Sequence, residues 1–486
     1  MAELRGLCEN WKQPIFFQFD TDMAKELLLR IITAVSAAGL HVSAIVSDLA
    51  GENRGLWNEL DIHLDRTSFT SPVKPDAQIF VFSDVPHNMK NLRNHLIDDG
   101  VILEDNTLID IETLHTMRNQ NGIHLNLCPK LTLKLLEVVK AERMRVAPAV
   151  QLLSHRMSCL ASKVFPDSPS ISKFFGIIND GFDVMNSRIP INEKQKIKSG
   201  FGNDLDNQLK SLDELQKLLL TMRFRTKKKK KRKKALLPCQ TGFVISIKSL
   251  LGLFHYLKNQ YELKYILTSR LNQDALENLF SVIRSFSGLY INPTPPEFRY
   301  RLRLVLLGSR IRPPKGTNCT YEDSNISYLS RDLLTKNGIS ISQDTEDMDI
   351  EATENDPPMD CDPTTATTPE IDPATEDSLR YLAGYIAWKL KRAGNVKEYG
   401  TPNGKTPYVM DPNTNWIETL SKGGLLIPTK ELWNWIQQCE KIFLEYFAGF
   451  QQQDRITSRL IALIRAREKD IDEEVVTQYV VTRLKI

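Results

Sequence analysis

The residues with the most chemical content are acids at the ends of apolar runs and two acids on a later helix. Asp48 follows Val42-Ser43-Ala44-Ile45-Val46-Ser47, a run that reads as a buried strand. A carboxylate there is costly unless it is solvated, paired or metal-bound. A second apolar run, Gln78 to Ser83, also ends in an acid, Asp84. Much later, Asn272-Gln273-Asp274-Ala275-Leu276-Glu277-Asn278 opens an amphipathic helix on which Asp274 and Glu277 are three apart and share a face. Carboxylates from a strand end and a helix are what a two-Mg²⁺ phosphoryl-transfer site requires, because hard oxygen ligands hold the ions that activate one oxygen and stabilise another. The plainer alternative stays open: strand-end Asp residues cap the helices that follow, and Asp274 could be an N-cap.

The elements that must position these acids follow a strand–acid–helix rhythm. Pro14 to Phe19 reads as a short strand, with Asp20-Thr21-Asp22 supplying cap chemistry for a helix from Met23 to Ala38 that stops at Gly39. Gly51-Glu52-Asn53 opens a helix through Leu60, and a helix from Val85 to Asp99 ends at Gly100. This is the pattern of an α/β layer with ligand chemistry at the carboxyl ends of its strands. From about residue 110 to 310 the pattern is mostly helical, with predicted helices at 131–143, 150–163, 205–222 and 243–258. Residues 338–377 are rich in Asp, Glu, Thr and Pro and read as a disordered linker. A helical period resumes from Ser378 to Lys391, and the last hundred or so residues read as a small helical domain.

Composition narrows the partners. Between residues 344 and 377 lie 13 acidic residues and no Lys or Arg; removing those 13 negative charges from a chain of net charge +3 leaves the remainder at +16. Such an excess suits a polyanionic partner, nucleic acid first among them, with plain solubility as the alternative. Ten of the twelve residues from Arg223 to Lys234 are Lys or Arg, which reads equally as a nuclear-localisation or phosphate-binding tract and as a solvated loop. The seven cysteines include no CxxC pair, so neither a disulfide framework nor a zinc finger is expected, and a reducing compartment, nucleus or cytosol, is the default. No apolar run approaches the roughly 20 residues of a membrane span. The eight histidines, His87 and His95 among them, are expected to pack or bond locally rather than bind metal.

Six blocks, in order, resemble the P-element and THAP-type transposase family. They are Trp11-Lys12-Gln13-Pro14-Ile15; Ile45-Val46-Ser47-Asp48 with Asn53 and Leu56-Trp57; Phe82-Ser83-Asp84-Val85-Pro86-His87 with Lys90 and Arg93-Asn94; Phe182-Asp183-Val184-Met185-Asn186-Ser187-Arg188; Gln240-Thr241-Gly242-Phe243 with Ser246-Ile247; and Gln273 to Ser281. The similarity runs from about residue 5 to 310 and continues weakly through Tyr381-Leu382-Ala383-Gly384-Tyr385 and Gly423 to Pro428.

The resemblance implies a fold that is α/β plus α: a split RNase H-like core interrupted by a mostly helical GTP-binding insertion, with a C-terminal helical domain. Its expected boundaries are 1–84 and 271–312 for the two core parts, 85–270 for the insertion, 338–377 for the acidic linker and 378–486 for the last domain. It implies that Asp48 and Glu277 are catalytic, metal-holding carboxylates for Mg²⁺. The family's first catalytic Asp and its zinc-binding DNA-recognition domain lie upstream of the first matching block, so strand transfer by this chain is expected to be lost. The GTP contacts implied by the resemblance are Lys130, Arg145, Val146, Phe182, Asp183, Asn186 and Asp274. In that role Asp183 accepts from the guanine edge, Phe182 stacks on the base, and Lys130 or Arg145 neutralises phosphates. There is no GxxxxGK[ST] loop, so an ordinary P-loop GTPase has no support. The expected protein is transposase-derived and nuclear, with GTP and DNA as partners, no membrane, and self-association left open. The rival expectations are a fragment of an active GTP-dependent transposase and a non-enzymatic interaction scaffold.

Overall fold

The computed structural model describes residues 1–122, 126–137, 142–225, 236–286, 293–307, 327–328, 373–394, 398–402, 425–450 and 456–485. The chain divides into two compact units, Met1–Asn119 with Lys130–Leu333, and Gln120–Pro129 with Leu334–Ile486.

In the first unit, β1 (Ala2–Arg5) and β2 (Trp11–Phe16) form an antiparallel hairpin. Helix α1 (Lys25–Ala37) leads to β3 (Ala44–Ser47), α2 (Gly51–Glu59), β4 (Ser68–Thr70) and β5 (Gln78–Ser83). Strand β5 is central: it pairs in parallel with β3 and antiparallel with β4, so that Ser47 stands opposite Ser83. All but the first residue of β5 are buried, as expected for a strand covered on both faces. The acids Asp48 and Asp84 therefore leave neighbouring strand ends on the same edge of the sheet.

The chain continues through α3 (Val85–Asp98), a small sheet begun by β6 (Val101–Ile102) and β7 (Leu108–Ile109), α4 (Ile111–Asn119), the short α5 (Leu133–Leu136), α6 (Val146–Leu152), α7 (His155–Val164), α8 (Pro169–Met185) and α9 (Leu205–Thr221). Strand β8 (Arg223–Phe224) returns to pair with β6. Helix α10 (Pro238–Tyr261) lies across β5. It comes close because small residues face the strand: a Cβ on Gly242 would sit 2.7 Å from Ser83 Oγ, and one on Gly252 2.5 Å from the Phe80 ring. Ser246 Oγ accepts from Ser83 N (2.9 Å) and donates to Ser83 O (3.1 Å), while Ser249 Oγ donates to Val81 O (2.6 Å). Helices α11 (Asp274–Ser285) and α12 (Pro295–Leu307) pack together through Leu279, Val282, Ile283, Phe298, Leu302 and Val305, and β9 (Ser327–Tyr328) adds in parallel to β2.

The second unit holds α13 (Pro373–Arg392), the pair β10 (Gly400–Pro402) and β11 (Leu426–Pro428), then α14 (Lys430–Phe450), α15 (Ile456–Arg467) and α16 (Glu473–Arg483) around one apolar core. Glu440 is fully buried there, accepting from Tyr479 Oη (2.5 Å) and from Arg483 Nε and Nη2. A buried carboxylate is tolerable only with such pairing.

Several expectations are corrected. The helix predicted over 131–143 is one turn, α5, with a separate 3₁₀ turn at Glu142–Met144. The helix predicted over 150–163 is two, because Leu153 leaves helical geometry and Ser154 accepts from Met157 N to start α7 afresh. Asp20 to Asp22 caps nothing: the N-cap of α1 is Ala24, without a side-chain bond. Residues 373–377 of the expected linker begin α13, with Thr375 and Asp377 buried; 338–372 lie outside the described residues. Of the basic run, Arg223 and Phe224 are strand and Arg225 pairs with Asp110 at 3.3 Å; 226–235 lie outside the described residues.

Candidate functional site

Both strand-end acids are held by the helix that follows, in different ways. Asp48 is half-buried; its Oδ1 accepts from Ala50 N (3.1 Å) and from Asn53 Nδ2 (2.6 Å). The preceding Ser47 Oγ accepts from Trp57 Nε1 at 3.0 Å, which fixes α2 against β3. Asp84 is buried and is the N-cap of α3, with Oδ2 accepting from His87 N at 3.0 Å. Its other oxygen, Oδ1, accepts from Gln273 N at 2.9 Å, the residue just before α11. One carboxylate thereby ties the end of β5 to the start of a helix 189 residues later.

Around Asp84 the charges converge. Lys90 Nζ, all but buried, lies 3.8 Å from Glu277 Oε1. Burial pushes the Asp84 carboxyl up to about 7; the Gln273 N–H and Lys90 pull it down, while Asp274 and Glu277 push it further up. The His87 imidazole is pushed down by burial and by Lys90, opposed by Asp48 and Glu277. Asp48 and Glu277 thus act on the same imidazole, although 229 positions separate them in sequence. Among the described residues no group of three or more His, Cys, Asp or Glu side chains converges as metal ligands would. Asp48 is engaged by Asn53 and Glu277 by Lys90, and both carboxylates are hard oxygen ligands of the kind that hold Mg²⁺ together with water and substrate phosphates.

The second group of residues gathers where α8 ends. Asn179 takes the His155 N–H on its oxygen (3.0 Å) and donates from Nδ2 to Asp180 Oδ1 (2.9 Å) and Asp183 Oδ2 (3.0 Å), so the start of α7 orients Asp183. Lys198 Nζ lies 3.4 Å from the same Asp183 oxygen. Gly181 admits α9 closely, since a Cβ there would meet Leu215 Cδ2 at 2.4 Å. Past Asn186, Ser187 N donates to Thr268 Oγ1 (2.8 Å) and Thr268 N donates to Ser187 Oγ (3.1 Å). These bonds bring the end of α8 beside the segment that opens α11. There Asn272 Nδ2 donates to Asn186 Oδ1 (3.4 Å) and to Asp274 Oδ2 (3.2 Å), and Arg188 Nη2 lies 3.0 Å from Asp274 Oδ2.

The expected nucleotide contacts are thus distributed. Asn186 and Asp274 share one polar network through Asn272, while Asp183 is held by Asn179 and Lys198. Phe182 is buried at 5 % exposure, so little of its ring is offered for stacking. Lys130 and Arg145 are exposed, and Val146 turns inward as the first residue of α6. The turn that delivers Arg145 is held by Arg93 and Asn94, which donate to the Arg143 carbonyl at 3.1 and 3.4 Å. Sequence reasoning singled out Asp84 as a strand-end acid able to cap the next helix, which it does, but gave no separate role to Lys90, Arg188 or Asn272. The available signal was the doubled strand-end Ser-Asp, each followed within a helical turn or so by an Asn.

The comparisons match this arrangement. The family described as TNP-like, RNase H N-terminal domain matches residues 2–61; TNP-like, GTP-binding insertion domain matches 86–198; and TNP-like, RNase H C-terminal domain matches 269–300. A curated relative, the transposable element P transposase of Drosophila melanogaster, is 32% identical over 496 aligned residues that cover all of this chain. The chain carries TNP-like domains and is a homologue of P-element transposase. It spans 62% of that relative's length. A solved structure, the Drosophila P element transposase strand transfer complex, aligns at TM-score 0.57 and 34% identity over 62% of this chain and 68% of that one. The fold is therefore a split RNase H-like core interrupted by a GTP-binding insertion. No described helix is long and apolar enough to cross a membrane.

Proposed function

We propose that this transposase-family chain binds GTP at the end of α8 and DNA along its core. The observation that carries the reading is that Asn186, inside the GTP-binding insertion match and three residues beyond Asp183 at the end of α8, is joined through Asn272 to Asp274 at the head of the helix bearing Glu277. Guanine offers N–H donors that Asp183 accepts, and Lys130 and Arg145, both exposed, neutralise phosphates. Adenine presents an acceptor where the carboxylate needs a donor, so GTP is preferred over ATP. Calorimetric titration of the full chain tests this. Asp183→Ala lowers the guanine preference roughly 5–150-fold, the equivalent of about 1–3 kcal/mol for a bidentate base contact. Lys130→Ala weakens both nucleotides alike. Equal binding of GTP and ATP by the unmutated chain, or none at millimolar concentration, sinks the reading.

DNA as partner is supported by the excess positive charge outside the acidic segment and by the relative whose solved form is a strand transfer complex. Placement in the nucleus rests on the basic run and is tested by imaging a tagged chain with that run replaced by Ser and Gly. Asp48 and Glu277 are the carboxylates that would face Mg²⁺, which would supply activation of the attacking oxygen. With Asp48 and Glu277 matching two of the family's three catalytic carboxylates, we expect little Mg²⁺-dependent cleavage of transposon ends. Robust cutting that disappears in Glu277→Ala would overturn that expectation.

A further inference from the structure

Helix α12 has two faces of opposite character. Phe298, Leu302 and Val305 turn inward onto α11 at 8, 5 and 4 % exposure. Arg301 lies on the same face; its Nη1 reaches the Ile283 carbonyl at 3.5 Å and its Nη2 lies 3.8 Å from Glu297. The inward face is complete, polar groups included. The outward face carries Arg299, Tyr300, Arg303 and Leu304, with Tyr300 at 64 % exposure. Among the described residues neither Arg299 nor Arg303 has an ion-pair partner. The one acid on the helix, Glu297, is already engaged by Thr294 N (2.8 Å), Thr294 Oγ1 (3.0 Å) and Arg301. Exposed Arg284, on α11, adds a third positive charge to the surface of this helix pair.

Two guanidiniums four residues apart are one helical turn apart, about 6 Å along the axis. That suits neighbouring phosphates of one strand, and a tyrosine between them offers a ring on which a base can stack whatever its identity. We infer that the Arg299–Tyr300–Arg303 face of α12 binds single-stranded DNA, the arginines on successive phosphates and Tyr300 on an unpaired base. The argument for this occupant is charge complementarity: the outward face presents unpaired cations and no free acid. A protein partner would be expected to bring acids, and a duplex would leave the Tyr300 ring without a base face. The inference rests on DNA being the partner of this chain.

The test is fluorescence anisotropy of the full chain with a labelled mixed-sequence oligonucleotide, single-stranded and duplex, across a salt series. Arg299→Ala with Arg303→Ala should flatten the slope of log K against log salt on the single strand by about 1.4, from roughly 0.7 per lost phosphate contact. Arg299→Lys with Arg303→Lys should keep the slope, separating charge from fold. Tyr300→Ala should weaken single-strand binding roughly 5–100-fold with the slope unchanged. All substituted positions are on the outward face, and thermal melts check that the helix pair remains folded. An unchanged slope in the double Ala variant overturns the inference, as does an effect confined to the duplex. If no DNA binds while GTP titrates normally, this inference fails and the GTP reading stands.

Discussion

Strands β3 and β5 lie side by side and end in the same two residues, Ser47-Asp48 and Ser83-Asp84, but the two acids meet different surroundings. Asp48 is half-buried and held locally by Ala50 and Asn53. Asp84 is buried, caps its own helix and reaches across the fold to Gln273. The serines differ in the same sense: Ser47 takes one bond from Trp57 of the following helix, whereas Ser83 is bracketed by Asn88 (2.7 Å) and by Ser246 of α10. The β3 end leaves a carboxylate available to a ligand. The β5 end has been used to join the two core segments on either side of the insertion.

The largest effect should come from Asp84→Ala. It strands the Gln273 and His87 N–H groups in the interior and should cost about 2–4 kcal/mol, read as a lower urea midpoint at constant m. If Asp48→Ala costs as much, the contrast between the two strand ends collapses. The second prediction concerns pH. Asp84 has its carboxyl raised from 3.8 to about 7 in the folded chain, so the folded state holds this proton more tightly than the unfolded state. Its stabilising contribution is fully present below the unfolded value and is lost as pH rises through about 4 to 7, by on the order of a few kcal/mol at most. Asp84→Asn should remove that decline, and a stability–pH profile identical to the parent's would show that Asp84 is not the group behind it.

Gly242→Ala tests how tightly the β5 end is closed. Its Cβ would fall 2.5 Å from Leu49 Cδ1 and 2.9 Å from Asn88 Nδ2, so we expect a loss of about 1–3 kcal/mol in thermal or urea unfolding. The smallest effect should be Asp48→Ala, under about 1 kcal/mol, because solvent can satisfy the groups it leaves. A neutral result there, set beside a large one at Asp84, would sharpen the assignment of Asp48 to ligand chemistry and Asp84 to architecture.

Much of the local structure was legible. The strands ending at Ser47 and Ser83, the helix stops at Gly39 and Gly100, and the long helices α9 and α10 follow from period and punctuation. Both of these glycines have positive φ, 82° and 76°, the geometry such stops require. The failures occurred where apolar period continued through a break. At 150–163 nothing in the apolar pattern marks Leu153, and Ser154 becomes a cap only because the chain turns there. The site was half legible: Asp183, Asn186 and Asp274 were named from resemblance. Arg188 and Asn272, which join the end of α8 to Asp274, were not, because those contacts span 86 positions.

What the sequence determined by itself was the alternation of strand, acid and helix, the charge asymmetry, and the face of each amphipathic helix. These depend on neighbours within a turn or a strand pair, and residue type alone encodes them. Only the tertiary structure decided which of two identical Ser-Asp endings would be buried. That choice belongs to α10 and the head of α11, whose Gly242, Ser246 and Gln273 close over Ser83 and Asp84 and have no counterpart described over Ser47 and Asp48. A carboxylate's fate follows the water it loses and the donors it gains, and both are set by chain that arrives from far along the sequence.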